Sequence, residues 1–567
     1  MRPALARGVA AAAVILAVVV ALMTLSYVRV DSTTPFARRY GLRQAPLRRS
    51  RGGALRTRLR VGAGPDAFGV VSRRYERSTP GPTLVVAPGD AVTVEVVNGL
   101  GAEDGAARAR DSLRRPNTTS LHMHGWHASP RVSPREDDVF SLVAPGESKR
   151  YDYHLPADHA PGTYWYHPHA QGSSGLQAYG MLGAVVVADA DPGRFPEDVV
   201  MLLASTNLVA GKARNYAWAS VASGSRLPVV AGGAVGADAT KAAAALKDEL
   251  RAPLDASFFT VNGELRPTFR PPAGAWLRWR VVNGGSNDIL SLELSDATAC
   301  EASVVARDGV ALPEPRPAFA APLVLARAGK ESEIPNFNGS DLGRFPLVLA
   351  PGSRVDLFAR CDAPATLRSA KRGALAYYLG GGSDVFDGEI LDVVPTPSRR
   401  PDASAAPRLD APPPRLFRSL LGERPDRVAT LAYYDGASVV RDGNAYTDYG
   451  LRVVDGDGSV DVGDVVEWTL HNDVKHGGPE DTNHPFHLHT NHFQIVDLCV
   501  DLSHGEGVDY AVGDWRDTIT LPTPGWVKIR FRAADYDGPS LAHCHIFSHS
   551  DLGMQHKFDI GTGGVKR

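Results

Sequence analysis

The sequence predicts an all-β chain of three successive antiparallel sandwich domains, and three observations carry that prediction. The first is composition: 57 Gly and 42 Pro among 567 residues favour many short strands joined by turns over long helices. The second is a unit that occurs three times, a Gly, alternating apolar residues, then an Asn nine positions on. Its copies are Gly89 to Asn98 (GDAVTVEVVN), Gly274 to Asn283 (GAWLRWRVVN) and Gly463 to Asn472 (GDVVEWTLHN). Alternation with period two, closed by a turn residue, reads as a half-buried strand. The third is a trio of Pro-Gly turns in register with it, at 145–146, 351–352 and 524–525, each before another alternating run. Two different signals recurring in one order mark an internal repeat, and repeated antiparallel strands of this kind build sandwiches.

The elements follow in chain order. Residues 8–28 are uncharged and mostly Ala, Val and Leu, long enough for a hydrophobic helix that spans a bilayer. With Arg2 and Arg7 before it, the segment 1–30 reads as a signal peptide or a membrane anchor. Either places the remainder outside the cytoplasm, as a secreted, periplasmic or membrane-anchored protein. From Arg29 to Arg60 there are ten Arg and one acid, so 31–59 reads as an Arg-rich linker, with organellar targeting as a second meaning. Domain one runs over 60–195 and domain two over 196–395. Domain two carries an Ala/Gly-rich insertion near 208–250, in which ADATKAAAALKDEL predicts one short helix. Seven Pro between Pro395 and Pro414 make 396–414 a semi-rigid linker to domain three, 415–567.

Charge and cysteine content exclude several classes. With 61 Lys+Arg against 63 Asp+Glu, no global field recruits nucleic acid. Apolar residues at 43% and charged residues at 22% exclude a disordered or multispan membrane chain. Four Cys exclude a disulfide-dense scaffold; Cys300 and Cys361 share domain two and can be bridged, which leaves Cys499 unpaired. Asn117-Thr-Thr and Asn338-Gly-Ser are glycosylation sequons in a eukaryotic secretory setting.

The 18 His carry the chemistry. None lies between His169 and His471, so the middle domain has none. Ten fall in four clusters: His122-Met-His124, His167-Pro-His169, His484-Pro-Phe-His487-Leu-His489, and His543-Cys544-His545 followed by His549 and Met554. The other eight read as structural. Residues i and i+2 on a strand share a face, so each H-x-H offers two imidazoles to one point, or near a turn to two neighbouring points. Four such pairs, split between the outer domains, predict equivalent half-sites that meet at one interface. Imidazole suits Zn, Cu, Fe or Ni, whereas one thiolate, two imidazoles and a distant Met are the ligands of a blue-copper centre. His484, Cys544, His549 and Met554 supply that set. Strand alternation points Cys544 away from His543 and His545, so it faces a second centre while remaining covalently continuous with theirs.

At these residues the sequence resembles the multicopper oxidases, specifically their three-domain, laccase-like branch, from about residue 60 to the end. The resemblance implies three cupredoxin-like Greek-key domains and four copper ions per chain. It implies a type 1 copper held by His484, Cys544, His549 and axial Met554, and a type 2 copper held by His122 and His487. His124, His167, His169, His489, His543 and His545 match the ligands of the binuclear type 3 pair. It also implies a monomeric enzyme that passes single electrons from a small reductant through Cys544 to the trinuclear cluster, where O2 is reduced to water.

Proton delivery needs a carboxylate beside that cluster. Asp137 in Asp137-Asp138-Val-Phe is the candidate, with Asp138 next and Asp517 in WRDT third. Some bacterial relatives carry a Glu just before the last copper His, where this chain has Ser548. The donor is expected to be a phenol or aromatic amine. A cuprous oxidase would display a Met-rich segment, because thioethers select Cu(I), and this chain has six dispersed Met. Oxidation of Cu(I), Fe(II) or Mn(II) is the alternative. Nitrite reduction and non-enzymatic copper carriage leave four complete H-x-H pairs without use.

Overall fold

In the computed structural model the three repeated units become three equivalent central strands. The structure describes residues 36–65, 71–103, 115, 117–131, 136–207, 257–286, 288–319, 347–370, 386–398, 404–441, 444–472, 484–500, 510–521 and 525–562. Strands Ala91–Asn98, Leu277–Asn283 and Val465–Asn472 each pair in parallel with an earlier strand, Ala54–Pro65, Glu197–Asn207 and Arg427–Arg441 respectively. Each also pairs antiparallel with the strand at or just after its Pro-Gly turn, Ser148–His154, Arg354–Cys361 and Gly525–Arg532.

The two repeated signals are joined physically. Gly146 N–H donates to Asn98 O and Gly352 N–H to Asn283 O, both at 2.8 Å. The Asn side chains donate to Val143 O and Leu349 O, two residues before each Pro. An Asn suits the position because its Nδ2 donates across the turn while its Oδ1 accepts from the N–H two residues on, that of Leu100 or Gly285.

Apart from one two-stranded ribbon, the sheets fall into three successive pairs: five- and four-stranded, seven- and five-stranded, and six- and five-stranded. Each pair encloses its own core. The first is built on Val92, Val94, Val96, Tyr151 and Tyr166, the second on Trp279, Val281 and Leu357, the third on Trp468, Leu470 and Ile529. The architecture is mostly β, multi-sheet and cupredoxin-like. Among the described residues no helix is long and apolar enough to cross a membrane. The segment 1–30, the insertion with its expected helix, and the Asn338 sequon lie outside the described residues.

The stretch expected as an Arg-rich linker is strand from residue 37 onward. Ala37–Arg39 and Leu42–Gln44 form a hairpin on the middle unit, with Leu42 inside that unit's core beside Phe269. Arg38 pairs with Glu264, and Arg39 donates to Asp198 O. Leu47–Arg49 then crosses to the first unit, parallel to Thr83–Val86. From Ala54 the run alternates, Leu55, Thr57 and Leu59 buried, Arg56 and Arg60 exposed. The arginine excess conceals a period-two strand, one of whose outward arginines, Arg58, pairs with Glu95.

The described part of the Pro-rich linker runs along the middle unit. Ala406 and Leu409 pack on Trp276 and Phe358, and Trp276 Nε1–H donates to Ser404 O.

Cys300 and Cys361 are directly opposed on neighbouring strands, 4.0 Å between Cα atoms, and form a disulfide that closes a separation of 61 residues. Cys499 is unbridged. Replacing both bridged cysteines with Ser is expected to lower stability by about 2–4 kcal/mol, read from denaturant unfolding. An unchanged unfolding midpoint would show that the bridge constrains nothing.

Candidate metal centre

The four H-x-H elements sit on neighbouring strands and the turns beside them, with His122–His124 at a sheet edge. His122–His124 is a three-residue strand antiparallel to Gly162–His167, which places His122 opposite His167. In the third unit Phe486–Leu488 is antiparallel to Gly538–Cys544, which places His487 opposite His543. The half-sites are thus equivalent, and they face each other. The His122 ring stacks on His489 at 4.0 Å between centroids, and His124 on His487 at 3.8 Å. All eight imidazoles are buried.

Within this cluster, nitrogens of His124, His167 and His545 lie within 4.8 Å of one another, as do those of His169, His489 and His543. His122 and His487 converge separately, next to His124. Three of the four H-x-H pairs are therefore divided between neighbouring points. His167 and His169 part, as do His487 and His489, and His543 and His545, whereas His122 and His124 share a group with His487 and His124 also belongs to the group of His167 and His545. In the three divided pairs the first His is on a strand and the second lies just past its end, which frees the second ring from the strand's alternation. Pro168 does this between His167 and His169.

The nitrogens fit metal ions. His169 Nε2 and His489 Nε2 each lie 3.2 Å from His543 Nε2, and His545 Nε2 lies 3.2 Å from His124 Nδ1. Imidazoles bound to one ion at about 2.0–2.1 Å with near-tetrahedral angles have nitrogens about 3.3 Å apart. The outer nitrogens are anchored: His167 Nδ1–H donates to Pro168 O, His487 Nδ1–H to Asp517 O, His543 Nδ1–H to Cys544 O and His122 Nδ1–H to Asp137 Oδ2. That fixes the tautomer and turns Nε2 inward. Nε2 of His122, His167 and His487 is buried without a hydrogen-bond partner. Such a lone pair is costly unless something accepts it, and a metal ion would.

Burial, reinforced by neighbouring imidazoles, holds His122, His124, His169, His487, His489 and His545 well below the usual imidazole range. Burial pushes His167 down to about 3 and His543 to about 4. The rings are neutral, the form that ligates.

A second donor set adjoins the first. Cys544 Sγ lies 3.8 Å from His484 Nδ1 and 3.9 Å from His549 Nδ1, and those two nitrogens are 3.2 Å apart. His549 rides on the short helix Phe547–Leu552, which ends at Gly553 with φ at 122°. The chain turns back there, so that Met554 O accepts from Cys544 N–H at 3.0 Å. Met554, Cys544 and His484 are fully buried, whereas His549 is partly exposed. Asp551 ties this helix to the first unit by accepting from the N–H groups of Gly172, Ser174 and Gly175. One thiolate, two imidazoles and a Met fit copper, and Cys544 lies in sequence between His543 and His545 of the larger cluster.

The three candidate carboxylates have distinct places. Asp137 accepts from His122 Nδ1–H at 2.7 Å and Met123 N–H at 3.0 Å. Burial, opposed by the Met123 N–H and reinforced by Asp138 and Glu136, pushes its carboxyl up to about 8. Asp138 faces away, paired with Lys149 Nζ at 3.0 Å and accepting from Phe140 and Ser141 N–H. Asp517 accepts from His124 Nε2–H at 3.3 Å and from Thr518 Oγ1–H at 2.9 Å.

Among its described residues the middle unit contributes no member of these groups, yet it reaches the cluster. A Cβ on Gly352 would come within 2.8 Å of His545 Nε2 and 2.9 Å of His124 Cε1, and Arg354 forks onto Asp517. Sequence reasoning missed both. The signal available was the Pro-Gly turn itself, equivalent to turns in the ligand-bearing units.

Sequence profiles of the multicopper oxidase family match residues 71–192 and 423–564. The iron transport multicopper oxidase FET3 of Candida albicans is 34% identical over 149 residues, 25% of this chain and 20% of that protein. The multicopper oxidase mco of Staphylococcus haemolyticus is 22% identical over 493 residues, 86% of this chain and 83% of that one. Among solved structures, a Campylobacter jejuni multicopper oxidase described as a metallo-oxidase superposes with a TM-score of 0.62 at 18% identity. That superposition covers 93% of this chain and 96% of the other.

Proposed function

The chain is a member of the multicopper oxidase family, and from that premise we propose a laccase-like activity: one-electron oxidation of phenols or aromatic amines coupled to four-electron reduction of O2 to water. The observation that carries this reading is the division of ten histidines and one cysteine into a thiolate site and two three-imidazole groups flanking a third pair. In it, His484, Cys544, His549 and Met554 would hold a type 1 copper and His122 and His487 a type 2 copper. The triads His124–His167–His545 and His169–His489–His543 would each hold one ion of the type 3 pair. Copper bound there would supply one-electron redox chemistry between donor and dioxygen.

The protein's own residues do the rest. His549, partly exposed and with its Nδ1 3.9 Å from Cys544 Sγ, is where a donor would approach. Cys544, flanked by His543 and His545, gives the shortest covalent path between the two sites. Asp137 holds a proton at His122, and is placed to release it toward the cluster. Organic donors are favoured because Met123, Met181, Met201 and Met554, the methionines among the described residues, are all fully buried. None offers a surface thioether to Cu(I).

The proposed domain division is 60–195, 196–395 and 415–567, with the first unit extended back to its strand at Leu47–Arg49 and the hairpin 37–44 assigned to the second. An extracytoplasmic, monomeric protein is proposed. The Cys300–Cys361 bridge supports that location, since disulfides persist in oxidising compartments.

Metal analysis of fully loaded protein is expected to return four copper ions per chain, one of them strongly blue. One or two ions, without a coupled pair in the spectra, would sink the trinuclear assignment. Oxygen uptake after anaerobic reduction, run across a donor panel, is expected to favour simple phenols. Specificity constants that favour Fe(II) or Cu(I) over every phenol by a wide margin would make the metallo-oxidase reading correct instead.

A further inference from the structure

Arg354 is fully buried where all three units meet. It belongs to the middle unit, its Nε–H donates to Thr163 O of the first at 3.2 Å, and its fork grips Asp517 of the third, Nη1 to Oδ1 at 2.7 Å and Nη2 to Oδ2 at 2.5 Å. Asp517 in turn touches two ligand candidates. Oδ1 accepts from His124 Nε2–H, and the backbone O accepts from His487 Nδ1–H at 2.8 Å. Thr518 Oγ1, hydrogen-bonded to Asp517 Oδ1, also lies 3.1 Å from His124 Nε2 and 3.1 Å from His487 Nδ1.

We propose that Arg354 is a positioning residue for the trinuclear ligands, acting through Asp517. The guanidinium fork fixes the plane of the carboxylate, and the carboxylate holds the Nε2–H of His124. His124 must then present Nδ1 to the point it shares with His545, unlike His122, His167 and His487, which present Nε2. The turn that delivers Arg354 reinforces this. Gly352, at φ +89°, lies so close to the His124 and His545 rings that any side chain there would push them apart. The middle unit is thus one wall of the cluster, although none of its described residues belongs to the ligand groups.

A buried ion pair alone is weak evidence of a stabilising role. What distinguishes Arg354 is where its partner points. Arg280, in the same unit and equally buried, pairs with Asp356 and Asp198, and Asp356 otherwise meets Thr163 and Arg278. Nothing in that set touches a ligand candidate. Lys cannot replace Arg354 conservatively, because a point charge cannot grip both carboxylate oxygens in one plane.

The proposal rests on the copper reading above, and one comparison separates the two. Copper-loaded wild type, Arg354→Lys, Asp517→Asn and Arg280→Lys are compared by electron paramagnetic resonance, by the near-ultraviolet band of the coupled pair, by copper retained against a chelator, and by Tm. Arg354→Lys and Asp517→Asn are expected to shift the type 2 and coupled-pair signals and to weaken copper retention there about 10–100-fold. The blue type 1 band should stay at wild-type intensity. Arg280→Lys is expected to lower Tm without moving those signals. Wild-type spectra and retention in both Arg354→Lys and Asp517→Asn would overturn the assignment, as would equal effects from Arg280→Lys. Should Arg354→Lys fail to fold, Asp517→Asn has the native shape and decides alone. Wild type that lacks type 2 and coupled-pair signals would refute the copper reading itself.

Discussion

Cys544→Ser is expected to remove the blue colour and nearly all turnover while the remaining copper stays bound. Thiolate is the soft ligand that defines such a centre, and a hydroxyl neither replaces its bond to copper nor its charge at neutral pH. The geometry sharpens the expectation. Cys544 Sγ faces His484 and His549, whereas His543 and His545 on either side of it go to the two separate imidazole triads. Loss of the sulfur should therefore isolate the donor site from the cluster without dismantling the cluster. Metal analysis should show one copper fewer, with the type 2 and coupled-pair signals unchanged. Turnover above a small residue would mean that electrons enter somewhere other than Cys544.

Asp137→Asn is expected to reduce turnover by about 100-fold, with copper content and the blue band retained. The amide fills the same space and can keep its oxygen on His122 Nδ1–H at the expense of the Met123 N–H bond, but it cannot take up and release a proton. Asp137→Ala separates the two contributions, because it also frees the His122 ring, and it should lose type 2 copper as well as rate. Asp138→Asn is the internal contrast. It breaks the pair with Lys149 at 3.0 Å and should lower Tm more than turnover. Wild-type turnover in Asp137→Asn would reduce Asp137 to a holder of His122.

Much of this site is local in the chain, and what is local is legible. An H-x-H pair beside an alternating run announces two imidazoles on a strand end, and three recurring Gly-to-Asn units announce three central strands. How the pairs divide among the ions is not local. It depends on which ring a turn swings away, and on rings stacked across an interface, such as His122 on His489. Arg354 was hidden for two reasons. Its partner Asp517 is 163 residues away, and a guanidinium is among the groups least expected inside a protein. The strand from Ala54 was hidden differently: Leu55, Thr57 and Leu59 alternate as strands should, but arginines fill the outward positions and mimic a charged linker.

The hairpin at 37–44 bears on the order in which the chain can be assembled. It precedes every strand of the first unit yet completes the core of the second, with Arg38 meeting a carboxylate 226 residues later. Ribosomes add about 5–20 residues per second, so the interval between synthesis of the hairpin and arrival of its partner is on the order of 10–45 s. The first sandwich can close in that time, but its own leading arm must wait outside it, unpaired and rich in arginine. The first unit cannot be severed from the second at a simple hinge, because the polypeptide crosses between them twice: once at the front end, through this arm, and once where the first sandwich hands over to the next. A double crossing of that kind makes the relative orientation of the two bodies a product of late assembly.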